Sequence, residues 1–196
     1  IFTRNLDNGE YRVAATIGSN SAQEIDAAIG FGGEKISNTL SVSSRKSDGF
    51  DVRIDDEDDK DGFENQSVAI RGDYQASNNG VIDWIAQIDD GEYDYDNSFG
   101  ASVSHYKNSH YSLRYSHQAK NWNHQVAVKG SKDRSFSYES YGLSEFETRR
   151  QMLNYLVRNQ VSDSLSVGGG FELAKDKVAD FSPSSRDTES AAKGSI

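Results

Sequence analysis

The chain of 196 residues has no cysteine, one proline and one methionine. Without cysteine there is neither a disulfide framework nor a thiolate metal site. No apolar run approaches the roughly 20 residues that a transmembrane helix needs, so a helical span is excluded. A membrane β-barrel stays open, because a barrel strand shows lipid only every second side chain. Basic residues are scarce too: Lys and Arg number 21 against 31 Asp and Glu, a net charge of −10. Such a surface repels nucleic acid and attracts cations. No secretory leader is visible at Ile1, so the expected chain is mature, trimmed or a fragment.

What is present points to strands. Seventeen Gly, ten Tyr and nine Phe accompany the shortage of proline, a composition of β structure rather than of a disordered acidic tail. Alternation is the main signal. Tyr11, Val13, Ala15 and Ile17 share one side of "YRVAATI", and Ile25, Ala27, Ile29 and Phe31 share one side of the next segment. The pattern recurs at Leu40 and Val42, at Val68, Ile70 and Tyr74, and at Ile82, Trp84, Ala86 and Ile88. It continues through Tyr111, Leu113 and Tyr115, then Val126 and Val128, then Leu165, Val167, Phe171 and Leu173, with mostly polar or small residues between. One segment is ambiguous. In "TRRQMLNYLVRNQV" (148–161), Met152, Leu153, Leu156 and Val157 have helical spacing, whereas a strand would keep Leu153, Tyr155 and Val157 outward.

The connections carry the topology. After the first tight turn "GSNS", short turns ("GGEK", "ASNNG", "AKNWN", "VSDS") alternate with long polar stretches: the acidic 48–65, residues 89–100, a Tyr-rich 137–147 and 176–190. An antiparallel up-and-down transmembrane β-barrel has this arrangement, with short turns at one end and long loops at the other. The run from Val81 to about Tyr95 is long enough to cross a bilayer obliquely. About ten strands are expected, the last being "AAKGSI", with "IFTRN" left unpartnered. Edges exposed in lipid are costly, so either further strands lie outside this sequence or the segment closes as a small barrel. Trp84, Tyr93, Tyr95, Tyr138 and Tyr141 are expected in an interfacial aromatic girdle.

Residues 48–65, "DGFDVRIDDEDDKDGFEN", hold nine carboxylates and two bases; 83–96, "DWIAQIDDGEYDYD", holds six and none. A solvated charge run is the bland reading. An EF-hand fails, because its twelfth position falls on Val68 and no helices flank the loop. No pair of carboxylates stands out for acid and base roles, and no nucleophile is evident, so an enzyme is not expected. A non-EF calcium site remains: Asp59 and Asp61 lie on one side of "DKDGF", Asp51 is on the other arm, and Asp94 and Asp96 stand in the neighbouring acidic stretch. Asp55, Asp56, Glu57 and Asp58 are read as solvated. His105, His110, His117 and His124 are read as scattered surface histidines, and "GGG" (168–170) as small residues at a crowded wall, not a phosphate loop.

Several of these residues also carry a family resemblance. "ATIGSNSAQEIDAAIGFGG", "SDGFDV", "DKDGFENQSV" and "YDYDN", and more weakly "SLRYSHQAKNWNHQVAVKGSKDRSFSYES" and "GGGFELAKDK", resemble the start of the barrel in TonB-dependent outer-membrane receptors for cobalamin. The resemblance implies that residues 1–196 are the N-proximal portion of a 22-stranded barrel in the outer membrane of a Gram-negative bacterium. It further implies a plug domain that contacts TonB, and a small-molecule ligand such as a corrinoid. In that family, aspartates in the loops after the third and fifth strands bind calcium, which places Asp51, Asp59 and Asp61 in that role; Asp94 and Asp96 match less closely, because the second loop is shorter here. Two other readings stay open: a small outer-membrane barrel with a structural or adhesive role, and a soluble calcium-binding β module.

Overall fold

The computed structural model describes residues 5–51, 60–97, 100–139, 142–180 and 188–190. Ten strands form one sheet: β1 Tyr11–Ile17, β2 Gln23–Gly32, β3 Ile36–Ser47, β4 Phe63–Ser77, β5 Gly80–Asn97, β6 Gly100–Ala119, β7 Trp122–Glu139, β8 Gly142–Ser162, β9 Leu165–Asp180 and β10 Thr188–Ser190. Each pairs antiparallel with its sequence neighbours, in the order β1 to β10. Among the described residues, β1 and β10 are the two edges and do not pair with each other, so the described strands form an open wall. The sequence 148–161 is entirely strand, within β8. Helical spacing loses there because every residue from Thr148 to Gln160 has a cross-strand partner on β7 or β9.

Three sequence expectations need correction. Residues 89–97 and 137–147 are mostly strand, not loop: β5 runs to Asn97 and β8 starts at Gly142. Polar side chains on both faces made these hairpin extensions look irregular. The tenth strand is Thr188–Ser190, whereas "AAKGSI" lies outside the described residues. Tyr93 and Tyr95 sit on the opposite face from Ile82, Trp84 and Ile88, as their odd numbers on β5 require, so they are not part of an outward girdle. Tyr141 lies outside the described residues.

One face is the apolar one found by alternation. Directly paired residues share a face, and the row that begins at Tyr11 in β1 passes through Leu40, Ala86 and Gly130 to Lys175 in β9. The other face is polar, and it is concave. Its small side chains, among them Ala28, Thr39, Ala69, Ser104 and Ala127, are buried, whereas Val13, Ile25, Val68, Leu113 and Leu173 on the apolar face are at least half exposed. A wall that hides small polar groups inside and displays large apolar ones outside suits lipid, not water.

The apolar band does not follow the hydrogen-bonded rows. Its upper edge is Ile17 in β1, six residues above the row just described, and Leu173 in β9, two residues below it. The edge therefore drifts by about one residue per strand. With roughly 3.3 Å per residue and about 4.8 Å between strands, the strands tilt by about 35° from the normal to the band. Transmembrane barrels tilt by about 35 to 45°.

Aromatic rings lie over glycines on the neighbouring strand. A Cβ on Gly72, Gly91 or Gly130 would come within 2.7 Å of Trp84, Tyr106 or Tyr111 respectively. These are directly paired positions, so the missing Cβ makes room for the ring. At the short-turn end of the outward face, Tyr115, His117, Trp122, His124 and Tyr155 form a stacked belt. The His124 Nδ1 and the Tyr155 hydroxyl are 2.8 Å apart. This belt accounts for His117 and His124, which pair directly across β6 and β7.

Candidate metal site at the outer rim

The long connection between β3 and β4 leaves the sheet beside the end of β5. Its two arms are pressed together at the base. The Asp61 amide donates to the Phe50 carbonyl at 3.3 Å, and Gly49 has φ 68°, with a Cβ there overlapping the Asp61 carbonyl oxygen. Only glycine fits both the left-handed backbone and the close approach. The Asp94 amide donates to the Gly62 carbonyl at 2.9 Å, extending the β5 ladder onto the returning arm. Asp61 and Asp94 thus belong to adjacent, hydrogen-bonded segments, and Asp51 is exposed on the departing arm. Asp94 and Asp96 share one face of β5, and Asp94 is exposed. Asp59 lies outside the described residues, as do Asp55, Asp56, Glu57 and Asp58.

Between these elements is a cleft of about 400 Å³ lined by Lys46, Asp48, Lys60, Glu64, Glu92 and Asp94, among others. Sequence reading missed Asp48, Glu64 and Glu92 as neighbours. Glu64 and Glu92 are direct cross-strand partners, a like-charge juxtaposition that is destabilising unless relieved. Lys46 opposes Glu64 on one side, and the His105 Nδ1 is 3.2 Å from Glu92 on the other. Among the described residues, no three acidic or histidine side chains converge closely enough to hold an ion. The donor chemistry fits a hard cation, because every candidate ligand is a carboxylate oxygen.

On the concave side below this rim, Tyr93 packs against Tyr95 and Tyr106, with ring centroids 5.8 and 6.3 Å apart. Asn65 Nδ2 donates to the Tyr106 hydroxyl at 2.9 Å. Toward the other end, the segment before β1 crosses the concave face. The Leu6 amide donates to Thr39 Oγ1 at 2.8 Å, Asn5 Nδ2 donates to Asp73 Oδ1 at 2.9 Å, and Gly30 leaves space for the Leu6 and Asp7 carbonyls.

The all-β up-and-down order, the outward apolar band and the tilt define the wall of a transmembrane β-barrel. Sequence comparison points to a distant relative: the chain is 28% identical over 173 residues to the vitamin B12 transporter BtuB of Photobacterium profundum. The similarity covers 85% of this chain but 28% of that protein, so the chain spans little more than a quarter of its relative's length. No family model matches the chain.

Proposed function

We propose that this chain forms part of the barrel of a TonB-dependent outer-membrane transport receptor that takes up cobalamin or a similarly scarce small molecule. The observation that carries the reading is the similarity to a vitamin B12 transporter along 85% of the chain, combined with a lipid-facing wall of the right tilt. A transporter role also agrees with the lack of an evident nucleophile or acid–base pair, so no catalysis is assigned. The segment at residues 5–10 lies on the concave side, where a linker from a luminal plug would enter β1. TonB would act through that plug, not through the wall itself.

Calcium belongs to the same proposal. The residues that would hold it are Asp51, Asp59, Asp61, Asp94 and Asp96, with Asp48, Glu64 and Glu92 adding negative potential around the neighbouring cleft. Bound there, calcium supplies charge neutralisation. Once neutralised, the carboxylates of the β3–β4 connection and of β5 lose their mutual repulsion, and the two segments can hold one arrangement. A ligand then meets a surface whose ordering cost has already been met. Tyr93, Tyr95 and Tyr106 present aromatic area to the lumen just inside this rim.

Two measurements test the reading separately. Equilibrium binding of cyanocobalamin to the intact protein should saturate below millimolar concentration, and no saturation there removes the cobalamin assignment. Hydrogen exchange over residues 48–65 and 89–100 should slow at millimolar calcium; unchanged protection removes the ion.

A further inference from the structure

The outward face changes sign along its upper rim. Above the apolar band, β6 to β9 carry Lys107, Lys132, Arg134, Arg149, Lys175 and Lys177, against Glu145 and Glu147 and, at 3.2 Å from Lys107, Asp90 of β5, although the whole chain is at −10. All belong to the lipid-side face, by direct pairing of Lys107 with Arg134, Lys132 with Arg149, and Arg149 with Lys177. They come from four strands, and only the strand register brings them together.

The tilt puts them at one height. A line level with the membrane drops by about one residue per strand from β6 to β9, and Lys107, Lys132, Arg134, Arg149, Lys175 and Lys177 all fall within about one residue of it. That line lies roughly three to five residues above the top of the apolar band at Tyr111, Val128, Leu153 and Leu173, roughly 10 Å after allowing for tilt. This is the depth at which headgroups replace hydrocarbon.

The cations are also pre-arranged. Glu147, only 7% exposed, receives Lys132 at 3.1 Å and Arg149 at 2.5 Å, with Arg134 at 3.9 Å. Arg134 is held further by Glu145 at 2.5 Å and lies 4.4 Å over the Phe136 ring. Beside this hub is a cleft of about 280 Å³ over Gly130, walled by Tyr111, Gln151, Lys132 and Arg149. Directly below it on the same face are Leu113, Val128, Leu153 and Leu173. A cationic cleft above an apolar surface complements an amphiphile with a phosphate at one end and acyl chains at the other.

We propose that the outward rim of β6 to β9 binds anionic, phosphate-bearing headgroups of the lipid leaflet at the long-connection end of the barrel, with the Gly130 cleft as its principal seat. The proposal rests on the membrane-barrel reading but not on the transported ligand. Cations near a charged lipid surface each strengthen attraction severalfold, and here Lys132, Arg134 and Arg149 are gathered by Glu147 before any lipid arrives.

The test uses the intact protein in neutral detergent, titrated with dioleoyl phosphatidylglycerol and, separately, with dioleoyl phosphatidylcholine or inorganic phosphate, with bound lipid counted by native mass spectrometry. Phosphatidylglycerol should be retained at least about tenfold more strongly than phosphatidylcholine, with inorganic phosphate a poor competitor. K132Q/E147Q/R149Q removes the hub without leaving its carboxylate unpaired, and should abolish most of that preference. K175Q should reduce it by a smaller factor even if the triple variant fails to fold. K129Q removes one charge from the concave face of β7 and should change nothing. Equal retention of the two lipids, an unchanged preference in K175Q and the triple variant, an equal loss in K129Q, or competition by phosphate at lipid concentrations would each overturn the proposal. Failure of the protein to take up either lipid would instead overturn the membrane-barrel reading.

Discussion

The two halves of the upper rim stand at similar height on the same sheet and solve charge in opposite ways. Around β3 to β5 the carboxylates face one another, with Glu64 directly across from Glu92 and Asp48 and Asp94 close by. Around β6 to β9, one nearly buried carboxylate is surrounded by cations. The basic half is braced from within by Glu147 while keeping a surplus of positive charge, so its geometry is set by the fold. The acidic half keeps two carboxylates, Glu64 and Glu92, side by side at its centre with Lys46 and His105 only at its flanks, so cations from solution bear more on its geometry. Charge number alone does not separate the two; the difference is whether a carboxylate's neighbours are cations, as around Glu147, or another carboxylate, as at Glu64 and Glu92.

Removing the hub should have the largest effect. Glu147→Gln leaves Lys132, Arg134 and Arg149 facing one another and should destabilise the protein by about 2 kcal/mol, below the figure for fully buried pairs because the cations are partly solvated. The denaturant midpoint in detergent would show it; a midpoint unchanged from the parent would mean that Glu147 does not brace the basic half. Next comes Gly49→Ala, which adds a Cβ to a left-handed residue and drives it against the Asp61 carbonyl. A loss of about 1.5 kcal/mol is expected, with faster exchange confined to the acidic half. Glu92→Gln should act in the reverse direction to Glu147→Gln, raising stability by roughly 0.5 kcal/mol in chelator as repulsion with Glu64 falls. If that gain persists undiminished in millimolar calcium, the acidic half does not rely on cations. The smallest change is expected away from both rims. Arg114→Ala removes the exposed concave-face pair with Asp83 (2.9 Å) and should shift the midpoint by no more than about 0.5 kcal/mol.

The strands and their faces were readable because alternation is a local property: Ile82, Trp84, Ala86 and Ile88 declare a face without reference to any partner. The same parity would have put Tyr93 and Tyr95 on the concave side, since an odd number on β5 cannot share the face of an even one in an unbulged strand. The ends of the long strands were harder to see. Above the membrane both faces of β5 and β8 are wet, so Asp89 to Asn97 resembles a loop until its pairing with β6 is known. The metal candidates were legible as a charge excess, but Glu64 and Glu92 became neighbours only through register. The basic rim left no local cue at all, because Lys107, Lys132, Arg149 and Lys175 come from four different strands.

The rings laid over glycines bear on how the sheet is assembled. A neighbouring strand that docked two residues out of place would keep its alternation and satisfy its backbone, but it would bring a residue with a Cβ under Trp84, Tyr106 or Tyr111. Hydrophobic matching cannot detect such an even-numbered slip. A bulky ring beside a position that only glycine can occupy can, and the three pairs join β4 to β5, β5 to β6 and β6 to β7 in turn. They amount to a series of keyed joints by which each newly added strand is checked against its predecessor before the next arrives.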